Sequence, residues 1–242
     1  MKDKKCKFYC YRKTRAENQI NKKKMDKLEL VIFDMDGVLT DIVSSWKYIH
    51  DYFNTSNKRS VNDYLKGKID DMEFIRRDSS LWVENNRPIT RKKLIDILSN
   101  VPLMNGAKNC INILKKNKIK TAIVSAGLDL LANKIAKELD IDYVYSNGVK
   151  IDEMGYLTGE GVLNVRLMYK DEAVIKLSKQ LNIPLKRIAT VGNSCFDIPM
   201  FELSGLAIAF NPEDDCIKEF ASATVQGKDL TRILSYLEKY IK

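Results

Sequence analysis

Histidine is nearly absent from this sequence, which contains only His50 among its 242 residues. A metal centre built from several imidazoles is therefore excluded, because such a centre takes most of its ligands from histidine. We expect the chemistry of this chain to come from aspartate, serine, lysine or cysteine side chains.

Long apolar runs are also missing. No segment approaches the roughly 18 consecutive apolar residues that a membrane-spanning helix needs, and the charged amino terminus lacks the apolar stretch of a signal peptide. We therefore expect a cytoplasmic protein without a membrane partner. With 45% hydrophobic and 30% charged residues, the chain is typical of a globular protein that buries a full core.

Cysteine is scarce, and its count of five is odd. Scattered cysteines in odd number argue against a disulfide framework. Cys6 and Cys10 stand close together, but the sequence offers no second Cys or His pair of the kind that a zinc site needs.

Excess positive charge is confined to the amino terminus. Residues 1–27 hold 11 Lys or Arg against 3 Asp or Glu, so this segment accounts for nearly all of the net charge of +9. We expect this tail to be disordered, because it has few apolar residues and no periodicity. Phe8 and Tyr9 lie between cations, a pattern compatible with single-stranded nucleic acid. Cationic tails match such patterns easily, however, so we do not expect a nucleic-acid partner.

The most informative segment is an apolar strand that ends in two carboxylates. Leu28–Phe33 is continuously apolar, as in a parallel strand covered on both faces, and Asp34-Met35-Asp36-Gly37 follows. Carboxylates this close repel each other unless a cation or a shared proton is present. Phosphoryl transfer uses a carboxylate nucleophile, Mg²⁺ and a second carboxyl group that donates a proton. Taken alone, the motif is equally compatible with an Asp-rich turn.

The hydrophobic periodicity divides the remaining chain into two parts. Residues 41–104 show helical periodicity and no strand signal, with the apolar stripe Ile42, Trp46, Ile49 and Phe53 and further helices predicted at Val61–Leu65, Asp70–Trp82 and Thr90–Leu98. From residue 105, helices and strands alternate, with one or two hairpins within residues 147–165 and a last helix over 229–240. The predicted fold is α/β, a doubly wound, Rossmann-like parallel sheet (28–40 and 105–242) with a helical cap (41–104) inserted after the first strand.

Three later segments add polar groups to this sheet. A strand ends at Ser125-Ala126-Gly127, where a hydroxyl and backbone N–H groups suit a phosphate oxygen. Lys170 is the first residue of a predicted helix, where its positive charge interacts unfavourably with the helix dipole. A third strand ends at Gly192-Asn193, with Asp197 four residues on. Taken singly, these residues could equally be an N-cap, a surface lysine and a strand-turn-helix junction.

In this order, the four motifs resemble those of the haloacid dehalogenase-like hydrolase superfamily, from about Leu28 to Lys242, with the cap where that superfamily carries one. The segment Asn147–Val165, the helix led by Lys170 and the ending Gly227-Lys-Asp-Leu-Thr-Arg resemble the phosphoserine-phosphatase-like branch.

The resemblance implies a role for each motif. Asp34 would attack phosphorus and form an aspartyl-phosphate, and Asp36 would protonate the leaving alcohol and then accept a proton from water. Ser125, Ala126 and Lys170 would hold the phosphoryl oxygens.

The resemblance also implies a metal site. Mg²⁺ would bind the Asp34 carboxylate, the Asp36 backbone carbonyl and Asn193, with Asp197 orienting metal-bound waters or Lys170.

The chain departs from the family pattern at two points. Asn193 stands where the family usually has Asp, which removes a formal charge and predicts a raised Mg²⁺ requirement. Val43 stands nine residues after the nucleophile, where phosphoserine phosphatases have a Glu that meets the substrate ammonium, and an apolar side chain cannot offset that charge. Arg76 and Arg77 are candidates for the cap arginine that meets the substrate carboxylate.

The sequence thus predicts a Mg²⁺-dependent phosphatase of a small phosphorylated metabolite, as a monomer or homodimer. One alternative is a phosphotransferase or phosphomutase that uses the same site. Another is a binding module with a decayed metal site, which Asn193 alone supports.

Overall fold

The structure is a computed structural model that describes residues 24–241. Two expectations for the amino-terminal tail, disorder and compatibility with nucleic acid, concern residues 1–27. Most of these residues lie outside the described range. The strands are β1 (Leu30–Phe33), β2 (Val83–Glu84), β3 (Arg87–Pro88), β4 (Lys120–Leu128), β5 (Tyr143–Ile151), β6 (Leu157–Val162), β7 (Ile188–Gly192), β8 (Leu206–Phe210) and β9 (Ala223–Val225). The α-helices are α1 (Ser45–Tyr52), α2 (Lys58–Leu65), α3 (Asp71–Ser79), α4 (Arg91–Leu98), α5 (Ala107–Lys116), α6 (Asp129–Leu139), α7 (Lys170–Leu181), α8 (Ile198–Leu203), α9 (Asp215–Phe220) and α10 (Leu234–Leu237).

Seven of these strands form one sheet in the order β6-β5-β4-β1-β7-β8-β9. All neighbouring strands are parallel except β6, which runs antiparallel to β5. Phe33 at the end of β1 lies opposite Ile123 of β4 and Val191 of β7. The carboxyl ends of the three central strands therefore meet at one edge, where open α/β sheets bind ligands.

Hydrophobic cores cover both faces of the sheet. Along β1, Val31 and Phe33 belong to the larger core, whereas Leu30 and Ile32 belong to a second core on the opposite face. All four side chains are completely buried. This burial explains why β1 is continuously apolar instead of alternating, and it confirms the predicted doubly wound sheet.

The segment between β1 and α5 contains α1–α4 and packs against the β5–β6 hairpin. A Cβ atom added to Gly161 in β6 would lie 2.7 Å from Ile75 Cγ2 of α3, so only glycine allows this close approach. The N–H of Leu157 donates to the carbonyl of Ile89 at 2.9 Å, which ties the hairpin to the strand-to-helix loop before α4. The hairpin expected within residues 147–165 is confirmed.

Three local features differ from the sequence-based expectations. The segment 41–104 contains a strand pair, β2–β3, because Asn85 and Asn86 both take left-handed backbone angles (φ 52° and 59°) that a two-residue hairpin turn requires. Helix α3 ends at Ser79, short of the predicted Trp82. The helix expected over 229–240 is instead a 3₁₀ turn, the short helix α10 and a second 3₁₀ turn.

Among residues 24–241, no helix has the length and apolar character needed to cross a membrane.

Candidate active site

The loop after β1 places two carboxylates at the sheet edge. Asp34 directly follows the strand and is buried, and Asp36 lies two residues on. The N–H groups of residues 38–40 all donate to the carbonyl of Met35 at 2.9 to 3.3 Å, so the chain turns back immediately after Asp36. This tight turn fixes both carboxylates relative to β1.

Gly37 is required within this turn. Its φ of +77° lies in the left-handed region, and a Cβ atom at this position would lie 2.0 Å from Asn193 Nδ2. Any other residue would strain the backbone and push against Asn193. The glycine therefore lets the β1 loop and the β7 loop come together.

Lys170, at the start of α7, lies between two buried carboxylates. Its Nζ is 2.9 Å from Asp34 Oδ1 and 2.7 Å from Asp197 Oδ1. Burial lowers the pKa of Lys170, but the Asp197 and Asp34 carboxylates outweigh that effect, so its pKa is raised and the ammonium stays charged. The pKa of Asp34 is raised to about 7, by burial first and the Asp197 carboxylate second, although Lys170 opposes both. Near neutral pH, this single cation favours the ionised form of Asp34.

Asp197 also holds the loop after β7. Its Oδ2 accepts hydrogen bonds from the N–H groups of Asn193 at 2.9 Å and Ser194 at 3.1 Å. The same carboxylate therefore binds Lys170 through one oxygen and positions Asn193 through the other. The sequence was also compatible with a simple strand-turn-helix junction at Asp197. The structure shows in addition that Asp197 contacts Lys170.

Asp36 is oriented by Ser45, a residue that the sequence reasoning did not single out. The N–H and the hydroxyl of Ser45 both donate to Asp36 Oδ2 at 2.8 Å, and Ser45 Oγ accepts from the N–H of Leu128 at 3.0 Å. Burial raises the pKa of Asp36 to about 6, against the lowering effect of the Ser45 hydrogen bonds. Ser45 begins α1, so the only available signal was a serine pair preceding a predicted helix.

The end of β4 brings Ser125 and Ala126 to the same edge. Ser125 Oγ accepts from the N–H of Gly127 at 3.1 Å. The carbonyl of Ala126 accepts from Trp46 Nε1 at 3.0 Å and from Asn147 Nδ2 at 3.3 Å. Asn147 was also missed, because its role in tying β4 to β5 depends on strand pairing that its sequence position does not reveal.

Asn193 contacts a further carboxylate that was missed, Glu213. Asn193 Nδ2 donates to Glu213 Oε1 at 3.4 Å, and the N–H of Glu213 donates to the carbonyl of Asn193 at 2.8 Å. Glu213 follows β8, the strand next to β7 in the sheet. The strand-end rule could have found it, since β8 was predicted to be parallel.

These polar groups form the floor of a cavity of about 840 Å³ between the sheet edge and α1–α3. The floor residues that line it are Asp34, Asp36, Ser125, Ala126, Lys170 and Asn193. The opposite wall combines apolar and polar side chains. The apolar ones include Val43, Trp46, Val61, Leu65, Phe74 and Ile75, and the polar ones include Lys47, His50, Asp51, Asn57, Lys58 and Asp71. The sequence-predicted core of the site is therefore brought together in one cavity.

The predicted substrate-contacting residues separate into two groups. Val43 lines the cavity and is 65% exposed. Arg76 and Arg77 are not among the lining residues, and each pairs with carboxylates: Arg76 with Glu160 and Arg77 with Asp63, both also with Glu73. The structure does not bring either arginine to the cavity.

The carboxylates at the floor suit a divalent cation. Asp34 Oδ1 and Asp36 Oδ1 are buried, and neither accepts a well-aligned hydrogen bond from any residue in the described range, although Lys170 lies close to the former. Buried carboxylate oxygens without such partners are costly unless a cation satisfies them. Oxygen atoms from Asp34, Asp36 and Asn193 form the hard donor set that Mg²⁺ and similar ions prefer.

Comparison with known proteins shows to which family the chain belongs. A model of haloacid dehalogenase-like hydrolases matches residues 28–205. The chain belongs to the haloacid dehalogenase-like hydrolase family. Phosphoserine phosphatase from Methanocaldococcus jannaschii is 29% identical over 215 residues, covering 88% of this chain and 99% of that protein. Phosphoserine phosphatase from Lactococcus lactis is 30% identical over 178 residues, covering 72% of this chain and 79% of that protein.

Solved structures agree with this placement of the chain among the haloacid dehalogenase-like hydrolases. A substrate-bound phosphoserine phosphatase complex matches with a TM-score of 0.74 at 28% identity, covering 87% of this chain and 99% of that chain. An apo phosphoserine phosphatase matches with a TM-score of 0.75 at 27% identity, covering 87% and 100% of the two chains. The chain is a phosphatase of the phosphoserine-phosphatase-like branch, within a family whose phosphatases are generally metal-dependent.

Proposed function

We propose that this phosphatase is a Mg²⁺-dependent hydrolase of small phosphorylated metabolites, and that it acts through an aspartyl-phosphate on Asp34. The observation that carries the proposal is the position of Asp34, which is buried at the cavity floor and paired with the single ammonium of Lys170. The Lys170 ammonium favours the ionised form of Asp34 against the effect of burial, and an ionised carboxylate is a competent nucleophile.

Asp34 makes the first bond change. One of its carboxylate oxygens attacks phosphorus, the bond between phosphorus and the ester oxygen breaks, and the alcohol leaves. Water then attacks the phosphorus of the aspartyl-phosphate, which releases inorganic phosphate and regenerates Asp34.

Asp36 moves the proton in both steps. With its pKa raised to about 6, Asp36 is poised between its protonated and ionised forms near neutral pH. Protonated, it gives its proton to the leaving alkoxide; ionised, it accepts a proton from the attacking water. The two hydrogen bonds from Ser45 to Oδ2 leave Oδ1 to carry that proton.

Ser125, Ala126 and Lys170 bind the phosphoryl oxygens. Ser125, Ala126 and Lys170 line the same cavity floor as Asp34, so the Ser125 hydroxyl, the Ala126 backbone and the Lys170 ammonium lie beside the nucleophile. Their donors and positive charge are already in place before reaction, so they stabilise charge that develops on the equatorial oxygens at little reorganisation cost.

Asp34, the Asp36 backbone carbonyl and Asn193 are the groups that would hold Mg²⁺. When bound, the ion would neutralise phosphoryl charge and orient the phosphoryl group for in-line attack. Asn193 offers an amide oxygen without charge, so this chain is expected to need more Mg²⁺ than one with Asp there.

The size and the lining of the cavity bear on the substrate class. Cavities of roughly 300–1,000 Å³ accommodate drug-sized ligands, so about 840 Å³ is ample for an ester larger than an amino acid phosphate. Val43 offers no charge to an ammonium, and Arg76 and Arg77 are engaged with carboxylates. Phosphoserine stays a candidate because of the relatives, and the mixed apolar and charged lining leaves other phosphorylated metabolites as candidates beside it.

A substrate screen tests the proposal. Phosphorylated metabolites, phosphoserine included, are incubated with Mg²⁺, and inorganic phosphate and dephosphorylated product are both measured. We expect the two products in equal amounts and no activity in Asp34→Asn, whereas Asp96→Asn, at an exposed position on α4 that does not line the cavity, should stay active. Transfer of phosphate to another alcohol, or activity that survives Asp34→Asn unchanged, would refute it.

A further inference from the structure

The cavity wall formed by α1–α3 contains a buried aspartate that no lysine or arginine of the described chain neutralises. Asp78, near the end of α3, lines the cavity and is only 2% exposed. Among residues 24–241, its one ion-pair partner is His50 of α1, whose Nε2 lies 3.2 Å from Asp78 Oδ2. The counter-charge of Asp78 therefore depends on the protonation of a single imidazole.

The contacts of His50 indicate that its imidazole is neutral. Trp82 Nε1 donates to His50 Nδ1 at 3.4 Å, and an indole N–H can only donate a hydrogen bond. The Thr55 hydroxyl lies 2.8 Å from the same nitrogen. Nδ1 therefore carries no proton and the ring holds its one proton on Nε2, so His50 brings no full positive charge to Asp78.

Neutral groups satisfy one oxygen of Asp78 and leave the other without a donor. Asn57 Nδ2 donates to Asp78 Oδ2 at 2.6 Å, and His50 Nε2 lies beside the same oxygen. Asp78 Oδ1 is buried and accepts no hydrogen bond from any group in the described range. A buried carboxylate oxygen without a donor is costly unless a ligand supplies one.

The other two carboxylates on this wall are in a different state. Asp51 forms an ion pair with Lys47 at 2.5 Å. Asp71 Oδ1 accepts from the N–H of Leu167 at 2.8 Å, and burial raises the pKa of Asp71, which favours its neutral form. Asp78 is therefore the carboxylate of this wall that gains most from an added positive charge.

We propose that Asp78, together with His50 and Asn57, binds a protonated amine in the alcohol half of the substrate, while the cavity floor holds the phosphate. One N–H of the ammonium satisfies Asp78 Oδ1, and its charge offsets the buried carboxylate. The cavity, at about 840 Å³, has room for both ends of such a molecule. The subsite rests on the proposed phosphatase function and gives it a substrate class, the phosphate monoesters of amino alcohols.

The same carboxylate narrows that class to simple amino alcohols. Asp78 would repel a second carboxylate on the carbon that bears the amine, because like charges at such short range are unfavourable. Arg76 and Arg77 do not line the cavity and so do not offset this repulsion. Esters without that carboxylate should therefore bind better than phosphoserine.

Binding of phosphonates tests the proposal without turnover. In ω-aminoalkylphosphonates, carbon replaces the ester oxygen and prevents hydrolysis, and the matched alkylphosphonates carry a methyl group in place of the ammonium. A series of chain lengths is titrated calorimetrically into the full chain with Mg²⁺. We expect the best amine to bind about 10–100-fold more tightly than its methyl counterpart, the gain typical of a hydrogen bond to a charged group. A carboxylate added beside the amine should remove most of that gain.

Two variants change the subsite in different ways. Asp78→Asn removes the charge but keeps an acceptor for Asn57, whereas Asn57→Lys keeps the carboxylate and brings an ammonium of the protein to it. The preference for the amine should disappear in both variants. It should persist in the control Asp96→Asn, at an exposed position that does not line the cavity. Thermal melts check that each variant is folded.

Equal affinity of the wild type for the amine and its methyl counterpart would overturn the proposal. A preference for the amine retained by Asp78→Asn, or by Asn57→Lys should the first variant not fold, would do the same. A failure of the proposed phosphatase function would show instead as absent phosphate release in the substrate screen, which phosphonate binding does not require.

Discussion

Replacing Lys170 by methionine removes the cation at the centre of the active site and nearly preserves side-chain volume. Two buried carboxylates, at 2.9 and 2.7 Å from Nζ, then face each other without a counter-charge. Removing one partner of a buried ion pair typically costs about 3–5 kcal/mol of stability. Because 1 kcal/mol moves Tm by roughly 2–4 °C in a chain of this size, we expect Tm to fall by roughly 6–20 °C in metal-free buffer.

Lys170→Met also removes a charge that meets the phosphoryl group. Loss of one preorganised donor to a developing negative charge costs about 10²–10³-fold in kcat, and we expect a loss at the upper end of that range. The optimum pH should also shift upward, since the pKa of Asp34 rises further once the opposing effect of Lys170 is gone.

The matched control for this experiment is Lys179→Met, an exposed lysine on the same helix. Its Tm and kcat should stay close to wild type, because substitutions at such surface positions change stability by about 0.5 kcal/mol or less. Steady-state phosphate release and thermal melts of both variants make the comparison. The reasoning is refuted if Lys170→Met matches Lys179→Met in both measurements.

Three further predictions concern the metal and the loops around it. Asn193→Asp should lower the Mg²⁺ activation constant by about 10–100-fold. It should also destabilise the metal-free protein, since a carboxylate then faces Glu213. An unchanged activation constant in a Mg²⁺ titration would contradict the first expectation. Gly37→Ala should abolish most activity, because its Cβ collides with Asn193, and activity near wild type would show that the turn adapts. Mg²⁺ should raise Tm more at pH 8 than at pH 5, and an equal rise at both values would argue against the Asp34 carboxylate as its ligand.

The sign of that pH dependence follows from the pKa values. Burial raises the pKa of Asp34 to about 7 and that of Asp36 to about 6, both above the ordinary value of 3.8. The folded state therefore binds protons more tightly than the unfolded chain, so metal-free stability falls as pH rises from about 4 to about 7. At pH 8 the Asp34 carboxylate is ionised and available to a cation, whereas at pH 5 protons compete with the cation for it.

Strand ends were the part of the site that the sequence could predict. Each apolar run fixes a parallel strand, and the carboxyl ends of parallel strands share an edge, so Asp34, Ser125 and Asn193 were expected to meet, and they do. Lys170 is the first residue of a helix, a position that could equally be at the protein surface. Only the order of the family motifs favoured a position in the active site.

Side chains that act across loops were beyond that rule. Ser45 reaches Asp36 because α1 begins beside β4. Arg76 and Arg77 are the converse case: helical spacing cannot tell which face of α3 meets Glu160 or Asp63 and which meets the cavity. In each case the answer depends on packing between segments distant in sequence.

The central claim is that Asp34 carries the phosphoryl group during turnover. It is tested most directly by acid-quenching the enzyme during turnover of a good substrate and locating the phosphoryl adduct by peptide mass spectrometry. We expect an adduct on Asp34 that is absent from Asp34→Asn. An adduct on another residue, or full turnover by Asp34→Asn, would contradict it.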